Sequence, residues 1–127
     1  MEILASRILL RPADPGRSVA FYRDTLGLAI AREFPGGTVF FLGNGQLEIS
    51  GHGAEPGPPS PGALWLQVRD IAAAHAQLAE HVVRGPQLEP WGLHEMWIAD
   101  PDGTQIVLVE VPSGHPIRTD TRPAPEL

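Results

Sequence analysis

A chain of 127 residues has the length of one domain, enough to bury roughly two-thirds of the surface its unfolded form exposes. Cysteine is absent, which excludes disulfides, thiolate metal sites and a cysteine nucleophile together. Nine basic residues, all arginine and none clustered, stand against fifteen acidic ones for a net charge of −6; that balance argues against a nucleic-acid partner, and no apolar run nears the roughly 18 residues that span a bilayer.

Residues 1–7 lack a basic region followed by an apolar stretch, so no signal peptide is expected and the chain reads as cytoplasmic. A first strand through Leu9 and Leu10 runs into Asp14, a good helix N-cap, with Pro15 preset for the first helical position. Val19, Tyr22 and Leu26 give that helix an apolar face at i, i+3 and i+7, and Gly27 closes it. Strand-like runs separated by glycine follow at residues 29–34, 38–42 and 46–50. Residues 51–61 then hold seven Gly and Pro, a linker that favours extended conformations.

The pattern starts again after the linker. A strand through Trp65 runs into Asp70, fifty-six residues after Asp14, and caps a helix whose stripe is Ile71, Ala74, Leu78 and Val82, with Gly85 as its stop. Strands are expected at 82–83 or 87–88, then at 95–99 and 104–111. Each half is β-α-β-β-β. The expected architecture is α+β: modules 1–50 and 62–111 form a single domain, 1–111, each with a curved mixed sheet and one helix, bordering a concave cavity. Residues 112–127 are expected to be an extended or disordered tail.

Two runs carry a resemblance. Asp14-Pro15-Gly16-Arg17-Ser18-Val19-Ala20-Phe21-Tyr22, continuing to Leu26-Gly27-Leu28, and Asp100-Pro101-Asp102-Gly103-Thr104 resemble the helix and hairpin signatures of the vicinal oxygen chelate superfamily. That superfamily includes glyoxalase I, extradiol dioxygenases, fosfomycin-resistance enzymes and bleomycin-binding proteins. Thr104 stands where the family has Asn. With the duplicated pattern, the resemblance spans about residues 3–111. On physical grounds alone, Phe21, Tyr22 and Leu26 pack a helix on a sheet, and Asp100 to Gly103 form a turn. Both runs identify a scaffold, and a scaffold does not identify a chemistry.

The resemblance implies a divalent metal on four strand positions, two per module, acting as a Lewis acid on two substrate oxygens. Here those positions fall on Arg7, Glu48, Ala63 and Val107. Only Glu48 has a suitable donor, because alanine and valine have none and a guanidinium offers no lone pair. No metal or other cofactor is therefore expected. His75 and His81 fall on the second helix or its end, His52 in the linker and His115 in the tail. A rebuilt metal site would have to come from Glu48, Glu95 and His94.

By the same resemblance Arg7 and Glu48 point toward one place. An ion pair is expected where the metal would sit, or Arg7 serves as a fork for a ligand carboxylate or phosphate. Strand alternation turns Leu9, Arg11, Gln46, Ser50, Trp65, Gln67, Gln105 and Val109 to the same side as these positions. Such a wall is apolar with a few polar handles, as small-molecule pockets are. Trp97 in a strand and Trp91 in the preceding loop add flat surface. The expected ligand-binding set is Arg7, Glu48, Trp65, Gln67, Trp91, Trp97, Gln105 and Val107, with Glu48 the only catalytic candidate.

The expected function is a metal-independent small-molecule binding protein of the bleomycin-resistance type, sequestering an aromatic or cationic drug or metabolite. The alternative is a glyoxalase-like lyase or isomerase, or a dioxygenase, with a rebuilt metal site or with Glu48 as general base. A carboxylate paired with a guanidinium is a poorer base, which weighs against the last. A third reading is a structural or regulatory subunit with an empty cavity. Proteins with this resemblance usually dimerise, so a homodimer is expected, with no nucleic-acid or membrane partner.

Overall fold

The computed structural model describes residues 1–51 and 62–119. The linker residues 52–61, with His52, and the tail from residue 120 onward lie outside the described residues. The chain divides into two compact units, and the division does not follow the repeat. Among the described residues one unit joins 1–51 and 62–63 with 99–105; the other joins 64–98 with 106–119.

In the first unit, β1 (Arg7–Leu10), β2 (Ile30–Phe34), β3 (Gly37–Leu42) and β4 (Gly45–Ser50) form a sheet of order β1-β4-β3-β2. β1 lies parallel to β4, with Arg7 opposite Gln46 and Leu9 opposite Glu48, while β2, β3 and β4 run antiparallel. Helix α1 (Pro15–Ala20) begins as the sequence indicates: the Asp14 carboxylate accepts from the Arg17 N–H at 3.1 Å, and Pro15 opens the first turn. The helix continues as a π turn through Phe21–Thr25 and ends before Gly27, whose φ of 73° closes it. Phe21, Tyr22, Phe40, Leu47 and Ile49 are buried, with the Tyr22 ring edge-on to Phe21 at 5.2 Å and tilted against Phe40 at 6.2 Å.

In the second unit, β5 (Ala63–Gln67), β6 (Val82–Leu88), β7 (His94–Ala99) and β8 (Gln105–Glu110) form a sheet of order β5-β8-β7-β6. Helix α2 (Ile71–Gln77) is capped by Asp70, which accepts from the Ala73 N–H at 3.0 Å. Glu110 takes another free donor of the first turn, the Ile71 N–H, also at 3.0 Å. The helix ends earlier than its apolar stripe suggests. A single 3-10 turn, Ala79–His81, redirects the chain, so Val82 opens β6 and Gly85 lies inside that strand rather than stopping a helix. Leu78 still fills its core position; Val82 matches the helical spacing by coincidence.

Residues Pro116–Thr119 form one helical turn, α3, where an extended or disordered segment was expected. His115 anchors it: Nε2 lies 2.9 Å from the Trp91 carbonyl, and Nδ1 accepts from the Ile117 N–H at 3.2 Å. Among the described residues no helix is long and apolar enough to cross a membrane.

Candidate functional site

Register decides which side chains of the first sheet share a face. Arg7 and Leu9 on β1, Gln46 and Glu48 on β4, and Val39 and Phe41 on β3 are paired partners, so they project to one side. The opposite side carries Phe40, Leu47 and Ile49 in the core. On the first side the Arg7 guanidinium is committed to β4. Nη1 lies 2.7 Å from Glu48 Oε1, and Nη2 donates to Gln46 Oε1 at 3.2 Å. The Arg7 side chain keeps 41% of its exposure and Glu48 15%. The pair is therefore half-solvated, and Arg7→Ala is expected to lower the unfolding free energy by no more than about 1 kcal/mol. Urea titration of the two proteins measures this; a larger loss means the guanidinium bears structural weight beyond the pair.

This geometry bears on the metal that the resemblance implies. The Glu48 carboxylate is already satisfied by a cation, the guanidinium opposite it donates no lone pair, and Ala63 and Val107 have no donor atom. Among the described residues no three His, Asp or Glu side chains converge to hold an ion. The donor set does not fit a divalent metal.

In the second unit the expected residues separate into several environments. Trp65, 48% exposed, and Gln67 project from one side of β5, whose other side buries Leu64. Val107 is buried with Leu93, Val109 and Val111, and Trp97 packs half-buried against that cluster. Val107 thus supplies core rather than open wall. Gln105 belongs to the segment 99–105 that joins the first unit, and its amide donates back to the Gly103 carbonyl at 3.4 Å, a local turn contact. Trp91 is 58% exposed, yet its indole N–H donates to Glu95 Oε2 at 2.6 Å.

Sequence reasoning missed a cluster around this last contact. Arg84 Nη2 donates to Glu89 Oε1 and to the Glu95 carbonyl at 3.1 Å, and Gln87 donates to Glu89 at 3.3 Å. Glu89 and Glu95 are both buried. The available signal was an acidic residue at 95 inside the otherwise apolar run Met96, Trp97, Ile98. Two register shifts in the β6–β7 hairpin, on either side of Arg84, hide the pairing from simple alternation.

A separate groove of about 380 Å³ lies in the first unit between the start of α1 and the β2–β3 hairpin, near Pro15, Val19, Phe34 and Ile49. None of the expected site residues lines it.

The model of the Glyoxalase/Bleomycin resistance protein/Dioxygenase superfamily matches residues 5–108. Among solved structures, a member of the glyoxalase/bleomycin resistance protein/dioxygenase superfamily from Sphaerobacter thermophilus is 26% identical. The match covers 87% of this chain and 98% of that one, with a TM-score of 0.69. A lactoylglutathione lyase from Agrobacterium tumefaciens is 20% identical over 86% of this chain and 92% of its own, with a TM-score of 0.65. A glyoxalase-related enzyme from Fulvimarina pelagi is 21% identical over 87% and 88%, with a TM-score of 0.69. No curated protein matches the chain.

Proposed function

The chain belongs to the glyoxalase/bleomycin resistance protein/dioxygenase superfamily, and from that premise we propose that it binds a small organic molecule without a catalytic metal. In this reading it is a cytoplasmic homodimer of the bleomycin-resistance type that sequesters an aromatic or cationic drug or metabolite. One observation carries the proposal. The single carboxylate among the four implied metal positions, Glu48, is held at 2.7 Å by Arg7. The scaffold keeps its exposed polar and aromatic groups while its Lewis-acid chemistry has lost its ligands. Trp65, Gln67 and Trp91 present exposed surface of the mixed apolar and polar kind that small-molecule sites use.

Two measurements test this. Protein purified without chelator and offered Zn, Ni, Mn and Fe is expected to retain below about a tenth of a metal per chain by mass spectrometry. The fluorescence of its three tryptophans is expected to titrate saturably with aromatic antibiotics. Near-stoichiometric metal would instead favour a lyase, isomerase or dioxygenase with a rebuilt site.

A further inference from the structure

We propose that the β6–β7 hairpin carries a subsite for an organic cation, a protonated amine or quaternary ammonium group, with Glu95 as its counter-charge and the indoles of Trp91 and Trp97 as its apolar surround. The inference rests on the small-molecule reading above and gives that ligand a chemical class.

Charge accounting leads to it. Glu89 and Glu95 each keep only 7% of their exposure. Between them stands one guanidinium, that of Arg84, and it is spent on Glu89. Toward Glu95 it reaches only the backbone carbonyl. Among the described residues no arginine or histidine nitrogen comes within ion-pair distance of the Glu95 carboxylate. Its one hydrogen bond there is the neutral indole N–H of Trp91, at Oε2. A carboxylate withdrawn from water is stabilised by a cation far more than by a neutral donor. Here the fold supplies burial and a neutral donor, and leaves the cation to something else.

The aromatic groups around it suit that something. Trp97 follows Glu95 by two residues on β7 and so shares its face, where it packs on Leu93, Val107, Val109 and Val111. Trp91 is pinned at its nitrogen while more than half of its surface stays open to solvent, an arrangement that core packing does not explain. An indole face attracts a cation through its quadrupole, and does so more strongly where water is excluded. A desolvated carboxylate beside two indoles therefore favours a ligand that is positive, bulky and weakly hydrated over a neutral one of the same shape.

The test compares phenyltrimethylammonium with tert-butylbenzene, its uncharged isostere, by tryptophan fluorescence on the full chain. The expected result is at least about fivefold tighter binding of the cation, lost in Glu95→Gln while tert-butylbenzene binding stays within about twofold. Glutamine keeps an acceptor for the Trp91 N–H, so the loop retains its anchor. Equal affinity for the two probes in the parent protein overturns the inference without recourse to any variant, and so does a cation preference that survives Glu95→Gln. Either outcome leaves the small-molecule reading standing. If neither these probes nor the aromatic antibiotics bind, both readings fall together.

Discussion

Asp100→Ala is expected to lower the stability of the protein by on the order of 3 kcal/mol at neutral pH, among the largest single losses available outside the apolar core. Asp100 is 6% exposed and serves three donors at once. Oδ2 accepts from the Tyr22 hydroxyl at 2.7 Å, and Oδ1 accepts from the Asp102 and Thr104 N–H groups at 2.9 and 2.8 Å. Alanine removes both acceptor oxygens, and with them all three hydrogen bonds, and strands a phenol that is fully buried. Tyr22→Phe is the milder change, about 1.5–2 kcal/mol, since the carboxylate keeps both backbone donors and no hydroxyl is left unpaired. Urea unfolding of the pair measures the difference; an Asp100→Ala midpoint equal to that of the parent would remove this network from the list of structural determinants.

The same contact sets an alkaline limit. Burial first, then the hydrogen bond to Asp100 and the charges of Asp100 and Asp102, push the Tyr22 pKa well above that of an ordinary phenol. The native state therefore holds this proton more tightly than the unfolded chain does. The associated stability is intact below the unfolded value of 10.0 and declines as pH rises past it. Tyr22 is the only tyrosine in the sequence, so tyrosinate absorbance reports this one group. It is expected to appear together with the loss of circular dichroism, not before it.

Arg84→Met is expected to cost about 2–3 kcal/mol at neutral pH, somewhat below the loss for a wholly buried pair, because the arginine side chain keeps 37% of its exposure. The loss comes from Glu89, which would remain buried with Gln87 as its only described side-chain donor. Methionine preserves the aliphatic packing and also removes the Arg84 Nε, a buried N–H with no partner, which offsets part of the loss. Guanidinium unfolding measures it; a loss just as large when Arg84→Met is made in a Glu89→Gln background would assign the cost to packing instead of charge.

Local chemistry was the legible part of this fold. Asp14 and Asp70 announce helix starts, Gly27 announces a helix end, and the strands expected at 29–34, 38–42, 46–50, 95–99 and 104–111 fall within a residue of their observed bounds; β6 instead runs through all of Val82–Leu88, where only 82–83 or 87–88 is expected. Val82 misled because a helical stripe cannot distinguish a residue that continues the helix from one that opens the next strand on the same core. The Arg7–Glu48 contact was anticipated through the family resemblance; forty-one residues separate them, and periodicity alone does not join them. Tyr22 and Asp100 read separately as helix packing and as a turn, and nothing local says that they bond across seventy-eight residues. The Glu95 cluster was hidden by the irregular register of its hairpin.

The return of residues 99–105 to the first unit has a consequence for the order of events on the ribosome. The first strand can pair only after β4 has been made, and the buried Tyr22 hydroxyl finds its acceptor only when Asp100 emerges. Synthesis thus leaves the leading half with a missing partner for most of the time it takes to make the chain. Although the sequence repeats itself, its first copy completes its buried hydrogen bonding only after residues 99–105 of the second have been made.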